Sequence, residues 1–345
     1  MKKYISILFA AAIAFMVSCT NDEIEVAKGV AVKVNPSGVI SPFSFEINAG
    51  ELESFTTNYK LRIRVLAYND KGLLAAADTS YLTNYASIMN STLYLSEGSY
   101  KIIAVTDVVE LNNNKTIKLA FWNMTNIEDL NTVKISDNGY IGGKNKILGI
   151  ASQNLTVSGK GSSITLNPEP AGALLLIYYD DIHKYSDVTE YKILTNRSCD
   201  YLTFDSYGQY VTTPENRNNT YNWRISYIKP KDSSMISYNT VYRWSFIFPI
   251  NNISFKFVYS TASQTNVNIT PDMTVNLKKG EEYAFILDLK DENDNNNITY
   301  NYFLIKGNSS SRLYAPFNTE EKYLSVPMQS SEDDNQSRRI IDLLK

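Results

Sequence analysis

Apolar and polar residues alternate with a period of two along most of this 345-residue chain. In the stretch YKLRIRVLAY, Leu61, Ile63 and Val65 share one face of an extended strand, whereas Arg62 and Arg64 lie on the opposite face. This pattern is typical of a sheet that buries one side and exposes the other. Helical periodicity is nearly absent before the last ten residues. The sequence therefore predicts an all-β protein.

Turn-forming residues separate several of the predicted strands. The segment 69–72, NDKG, stands between two apolar runs and predicts a β-hairpin. In STLYLSEGSYKIIAV, the pair Glu97-Gly98 predicts a second strand-turn-strand unit. By contrast, the stretch 112–143 is polar and rich in Asn, and it predicts a long connection.

A break near residue 170 divides the chain into two predicted domains. Pro168 and Pro170 disfavour both helix and central strand, and they stiffen a linker. Directly after them, ALLLIYY is an unbroken apolar run that suits a strand buried on both faces. About seven strands per half argue for two tandem β-sandwich domains. We place them at residues 28–167 and 168–306, followed by a Ser-rich, charged C-terminal tail at 307–345.

The N-terminus carries the features of a secretory signal. Lys2 and Lys3 precede an apolar run that ends at Val17 and is shorter than the roughly 20 residues that span a bilayer. The residues MVSC that end at Cys19 resemble the bacterial lipobox. We therefore expect a signal peptide over residues 1–18, acylation of Cys19 by fatty acids such as palmitate, and a solvated tether over 19–27.

This interpretation predicts a lipid-anchored protein of the outer membrane, exposed at the cell surface. The alternative is an ordinary cleaved signal in which Cys19 has no role.

The charge balance argues against nucleic acid as a partner. The net charge is -3, with acids and bases interspersed, so no basic surface gathers phosphates. Tyrosine is abundant, with 25 copies, and it favours strands and half-hydrated surfaces. Once Cys19 is acylated, Cys199 has no disulfide partner, and we expect a buried, inert thiol.

No set of residues predicts an enzyme, a cofactor or a metal site. His183 is the only histidine, which excludes His-dependent triads and multi-His zinc sites. Beside Asp180 and Asp181, it is either a general base or pH sensor, or a solvated histidine at a strand end. The segment DENDNNN begins like a calcium loop, but Asn296 replaces the required glycine and Tyr302 the required acid. We interpret that segment as a polar hairpin tip.

The three tryptophans raise the question of a sugar-binding platform. Trp244 lies in the alternating run RWSFIFPI and is predicted to be a core residue. Trp122 and Trp223 lie in loop-like or edge contexts, so each is either a flat face for stacking on a glycan or a packing residue.

Taken together, several of these segments resemble the fimbrillin superfamily of Bacteroidetes, the subunits and anchors of type V pili. The resemblance spans roughly residues 28–306 and implies two transthyretin-like, Greek-key β-sandwiches. Its segments are the lipoprotein signal, YKLRIRVLAYNDKG, the break near Pro170, LKKGEEYAFILDL, and LYLSEGSYKIIAV, in which Leu93, Leu95, Gly98, Tyr100 and Ile102 match the family pattern.

The resemblance also implies a mode of assembly, β-strand complementation, in which an extended segment of one subunit completes the sheet of the next. In polymerising members a trypsin-like protease removes an N-terminal strand by cutting after a basic residue, and Lys28 and Lys33 are the candidate cut sites here. Segment 323–328 is a candidate donated strand, although Pro327 would confine it to a sheet edge.

We therefore expect a fimbrial anchor, minor or tip subunit, or an adhesin, without catalysis. Its partners would be other fimbrial subunits or surface ligands. The alternative function is a glycan-binding lipoprotein accessory to a polysaccharide-uptake system.

Overall fold

Extended strands make up most of what the computed structural model describes. Apart from the short 3-10 helix η1 (Pro36–Val39), the described residues form no helix. The prediction of an all-β protein is confirmed. The described residues are 27–43, 58–113, 115–138, 146–159, 161–179, 188–216, 223–226, 241–265, 267–268, 273–289, 300–306, 313–316 and 324–325.

Strands β1 to β10 belong to the first half of the chain. They are β1 (Lys28–Val34), β2 (Tyr59–Tyr68), β3 (Leu74–Leu82), β4 (Met89–Leu95), β5 (Gly98–Leu111), β6 (Ile117–Ala120), β7 (Trp122–Thr125), β8 (Lys134–Asp137), β9 (Gly149–Val157) and β10 (Ser162–Leu166).

Both predicted turns occur, and they have different consequences. β2 and β3 form the expected antiparallel hairpin. Its turn is closed by the side chain of Asn69, which accepts hydrogen bonds from the backbone N–H groups of Lys71 and Leu73, each at 3.0 Å. Gly72 has a φ of 78°, which glycine adopts without steric cost. The turn at Glu97 instead joins β4 to β5, which belong to different sheets, so the chain crosses between the two layers there.

Two sheets of the first half share a core. A three-stranded sheet in the order β10-β1-β4, called here the β1 sheet, contributes Val32 and Leu93. A larger sheet, in which the neighbouring strands follow the spatial order β9-β5-β2-β3, contributes Ile63 and Val65. All four side chains belong to one cluster of buried residues. The alternation predicted from the sequence thus places one face of β2 in this core.

The opposite face of β2 is also covered, so the prediction that Arg62 and Arg64 face solvent is wrong. Arg62 is only 7% exposed. Two causes act together. Asp107 lies directly opposite Arg62 on β5 and neutralises it, and apolar residues of the stretch 121–148 join the same buried cluster. Charge pairing across two strands therefore allows a polar position to be buried.

The second half contains the remaining described strands. They are β11 (Glu169–Pro170), β12 (Ala173–Tyr179), β13 (Val188–Thr195), β14 (Arg197–Ser198), β15 (Tyr201–Phe204), β16 (Tyr210–Thr212), β17 (Glu215–Asn216), β18 (Trp223–Ser226), β19 (Val241–Ile247), β20 (Ile250–Thr261), β21 (Val267–Asn268), β22 (Met273–Leu277), β23 (Glu282–Leu289), β24 (Tyr300–Lys306), β25 (Leu313–Pro316) and β26 (Leu324–Ser325).

The second half is built around β12, the strand predicted from ALLLIYY. It lies between β19, which runs antiparallel to it, and β23, which runs parallel to it. The sheet continues through β24, β25 and β26. A second sheet has the order β18-β13-β20-β21. The candidate donated strand at 323–328 overlaps β26, which pairs with β25 at the edge of the first of these sheets.

Strand pairing crosses the predicted domain boundary. β11, which contains Pro170, pairs with β9 of the first half. A four-stranded sheet in the order β16-β15-β8-β7 also joins two strands of each half, with Leu202 opposite Ile135. The boundary at 167/168 stays a prediction, but the residues on its two sides share a sheet and a core.

Candidate functional site

Of the strands that the structure describes, the one nearest to the N-terminus lies in the middle of the β1 sheet. β1 runs parallel to β10, with Val34 opposite Leu166, and antiparallel to β4, with Val34 opposite Met89. Neighbouring strands lie about 4.8 Å apart, so a sheet without β1 would contain a gap about 10 Å wide. Rows of backbone donors and acceptors on β10 and β4 would border that gap.

Alternate side chains hold β1 in place. Val30, Val32 and Val34 are 0%, 2% and 0% exposed. Burial of one valine side chain contributes about 1.5–3 kcal/mol. The positions between them, Ala31 and Lys33, face outward and are exposed. β1 is therefore bound by a valine ladder on one face and by backbone hydrogen bonds along both edges.

The two candidate cut sites lie at different places on β1. Lys28 is the first residue of the strand, and its ammonium group donates a hydrogen bond to the carboxylate of Glu97. A cut after Lys28 would leave all three valines in the sheet. Lys33 is paired on both sides, so a protease reaches its peptide bond only after β1 has left the sheet. Of the two, only a cut after Lys33 would remove Val30 and Val32 from the core.

The lipidation site and the signal peptide lie outside the described residues, so Cys19 stays a prediction. Within the described ranges no helix is long and apolar enough to cross a membrane.

Of the two alternatives for Trp122, the structure favours a packing residue in the core over a glycan platform. Its side chain is 1% exposed, and its ring packs against Phe248 and Phe246 of the second half, with centroid separations of 5.0 and 5.9 Å. Its indole N–H donates to the carbonyl oxygen of Lys146 at 2.8 Å. No face of the Trp122 ring is available to a sugar. The residue instead packs at the contact between the first and second halves of the chain.

The other candidate residues are only partly described. Trp223 lies in β18, but the structure describes nothing of its side chain, and His183 lies outside the described residues; both stay predictions. Cys199 is half-buried and packs against the main core. The described part of the chain holds no group of three or more His, Cys, Asp or Glu residues placed to bind a metal ion.

A buried ion pair is the strongest electrostatic feature of the first half. The guanidinium of Arg62 donates to both carboxylate oxygens of Asp107, at 2.8 and 2.5 Å. Arg64 lies 3.8 Å from the same carboxylate, and burial lowers the pKa of Arg64 to about 10 although Asp107 opposes this shift. One carboxylate thus serves two cations, and the network fixes the register of β2 against β5.

Sequence reasoning missed an exposed aromatic residue on the β1 sheet. Tyr94 of β4 is 68% exposed and lies opposite Gly29 of β1. The alternation in STLYLSEG carries the signal, because Leu93 and Leu95 face the core and so turn Tyr94 outward.

Comparison with known proteins finds similar folds only. No family model and no curated protein matches the chain. Among solved structures, a candidate polysaccharide-binding protein from Bacteroides thetaiotaomicron is 10% identical with a TM-score of 0.48, covering 81% of this chain and 96% of its own. A candidate adhesin from the same organism is 10% identical, with a TM-score of 0.46 and coverage of 83% and 98%. The fimbrial anchor protein Mfa2 from Porphyromonas gingivalis is 10% identical, with a TM-score of 0.44 and coverage of 82% and 98%.

At such identities and TM-scores the likeness supports no conclusion about what this chain binds.

Proposed function

We propose that this protein is a lipid-anchored surface subunit of a fimbria, as anchor, minor or tip component, or an adhesin, and that it joins a neighbouring subunit by exchange of β1. The observation that carries the proposal is the central place of β1 between β10 and β4. Its chemistry is binding by strands rather than catalysis.

The position of β1 suits exchange. The strand is held by valines at alternate positions and by backbone hydrogen bonds. Backbone bonding is independent of sequence, and aliphatic contacts are non-directional. A strand from another subunit with the same alternation of β-branched and small residues would therefore satisfy the same site.

The test uses a chain that begins at Asn35 and a fluorescent peptide with the sequence AKGVAVKV, which matches residues 27–34. We expect the truncated chain to bind the peptide, and the full mature chain to leave it unbound because β1 occupies the site. A peptide with aspartate in place of Val30 and Val32 is the matched control and should not bind, because it would bury two carboxylates.

The peptide can also be added during refolding, in case the truncated chain does not fold alone. Rescue of folding by AKGVAVKV and not by the aspartate peptide supports exchange. A folded truncated chain that does not bind AKGVAVKV, or that binds both peptides equally, would overturn the proposal of β1 exchange.

The membrane anchor is tested separately. Cys19→Ser should abolish incorporation of tritiated palmitate in cells, because the thiol is the proposed acyl acceptor. The matched control is Cys199→Ser, which should retain the label. Labelling that survives Cys19→Ser would contradict the anchor.

A further inference from the structure

The outer face of the β1 sheet forms a shallow, open cavity whose lining includes hydroxyl and amide side chains. The register explains its composition, because Ala31 lies opposite Thr92 and Ser163 in the two neighbouring strands. The central strand β1 carries the small side chain of Ala31 where β4 and β10 carry the larger Thr92 and Ser163. The middle of the face is therefore a depression between the two outer strands. The outward side chains that line this cavity are Ala31, Lys33, Asn90, Thr92, Ser163 and Thr165.

Tyr94 supplies an aromatic surface at one end of this face. It lies opposite Gly29, and a methyl group added at Gly29 would stand 3.8 Å from the ring carbon Cε1 of Tyr94. The ring therefore lies beside a position that has no side chain, while 68% of the residue is exposed. An exposed ring of this kind offers a surface for stacking against the apolar face of a sugar.

Lys33 supplies a charge at the other end. Its side chain is exposed, and the residues that line the cavity include no Asp or Glu. Hydroxyl and amide groups surround it instead. The cation is thus complementary to a carboxylate on a bound molecule.

We propose that the outer face of the β1 sheet binds an acidic oligosaccharide through the juxtaposition of Tyr94, the hydroxyl-lined cavity and Lys33. Tyr94 stacks on one sugar ring, and Lys33 pairs with a carboxylate of a uronic or sialic acid unit. Thr92 and Ser163 lie between them, Thr165 lies beside Lys33, and all three hydrogen-bond the sugar hydroxyls.

The dimensions fit a short oligosaccharide. Tyr94 and Asn90, which lies opposite Lys33, are separated by four residues of β4, or about 13 Å at about 3.3 Å per residue. This site goes beyond the proposed function, since it needs no strand exchange. It does need β1 in place, because β1 contributes Lys33 and the floor of the cavity.

The first experiment places the purified mature chain on a glycan array that carries uronic acid, sialic acid and neutral glycans. We expect binding to acidic glycans, and the strongest of them is then titrated by calorimetry. Tyr94→Ala should weaken binding at least about tenfold, because the stacking surface is lost. Tyr207→Ala removes a tyrosine that is 74% exposed on a turn of the second half, and this control should bind like the natural chain.

The second experiment tests the charge. Lys33→Gln should abolish the preference for the acidic glycan over its carboxyl-reduced, neutral counterpart, together with the salt dependence of binding. Lys71→Gln, in the exposed turn of the β2–β3 hairpin, is the matched control and should change neither. Circular dichroism checks that each variant is folded.

Three results would overturn the proposal. They are no binding to any acidic glycan on the array, equal affinity for the acidic and the reduced glycan, and unchanged affinity in Tyr94→Ala. Failure of the peptide experiment on β1 exchange leaves these measurements unaffected, so the two proposals fail separately.

Discussion

The two faces of the β2–β5 sheet are held by different chemistry. Toward the β1 sheet the contacts are aliphatic, with Ile63 of β2 and Val32 of β1 in one core. On the opposite face, Arg62 and Asp107 form a buried, two-fold hydrogen-bonded ion pair. The carbonyl oxygen of Trp122 lies 3.4 Å from the same guanidinium. The face toward the β1 sheet is therefore packed by apolar side chains, whereas the opposite face combines apolar packing with an ion pair whose groups must meet in a fixed geometry.

This difference teaches which part of the molecule tolerates exchange. Aliphatic burial depends on area and shape, so a strand of similar pattern can replace β1. A buried ion pair tolerates no such replacement, because the loss of one partner leaves a charge in the core. The ion pair keeps β2 and β5 in register while the β1 side remains replaceable.

The largest expected effect comes from removing the buried carboxylate. Asp107→Asn should lower the free energy of unfolding by about 3–5 kcal/mol, because Arg62 and Arg64 keep their charges without a counter-charge. Urea denaturation measures it. Asp70→Asn, at the exposed tip of the β2–β3 hairpin, is the matched control and should change the free energy by less than about 0.5 kcal/mol.

A double variant sharpens this measurement. Arg62→Met combined with Asp107→Leu replaces the pair by apolar side chains and should be more stable than Asp107→Asn alone, since only Arg64, and no longer Arg62, is left without a counter-charge. A loss below about 1 kcal/mol in Asp107→Asn would contradict the importance of the ion pair.

A smaller effect is expected on the aliphatic side. Val32→Ala should lower the free energy of unfolding by about 2 kcal/mol, because it removes two buried methyl groups and leaves a small cavity. Lys33→Gln, the next residue and exposed, is the control, with an expected change within about 0.5 kcal/mol. Equal effects of the two variants in urea denaturation would show that β1 does not pack as described.

The smallest expected effect is on the pH dependence of the free energy of unfolding. It concerns Tyr210 in β16, a strand of the four-stranded sheet that joins the two halves. Burial, with a contribution from Glu169, raises the pKa of Tyr210 to about 12. The pKa of an unfolded tyrosine is about 10. The stabilising contribution of the neutral phenol is therefore complete below about pH 10 and is lost as the pH rises toward 12.

Tyr210→Phe should accordingly reduce the decline in the free energy of unfolding between about pH 10 and pH 12. Part of the decline will persist, because burial also raises the pKa values of Tyr68, Tyr85 and Tyr283. The lowered pKa of Arg64 acts in the opposite direction. Tyr207→Phe, at the exposed turn, is the control; a decline identical in the Tyr210 and Tyr207 variants would contradict the prediction.

Local patterns in the sequence were sufficient for much of the fold. The period of two predicted the strands, and NDKG predicted the β2–β3 hairpin with its Asn69 side chain closing the turn. The unbroken run ALLLIYY predicted a strand buried on both faces, and its successive residues Ala173, Leu174 and Leu175 are all buried. These signals are local, because strand periodicity and turn chemistry depend on residues close together in the chain.

Contacts between segments that are distant in the chain could not be predicted from strand periodicity and turn chemistry. The stretch 112–143, predicted as a polar connection, supplies β6, β7 and β8 and the buried Trp122. Its polar residues alternate with only a few apolar ones, so its short strands give a weak periodic signal. Arg62 was predicted to face solvent for the same reason. Its partner Asp107 is 45 residues further along the chain, so local alternation gives no sign of the ion pair.

The sequence by itself determined that this is a β protein, where the β2–β3 hairpin turns, and that Lys28 and Lys33 flank the first valines of the chain's first predicted strand. Only the tertiary structure decided that β1 is a middle strand, that Trp122 is enclosed, and that Tyr94 and Lys33 share an open face. The physical reason is that side-chain alternation specifies two faces for every strand but not what covers them. The strands and loops that cover each face are far away in the chain. Their position and register follow from tertiary packing and not from local sequence.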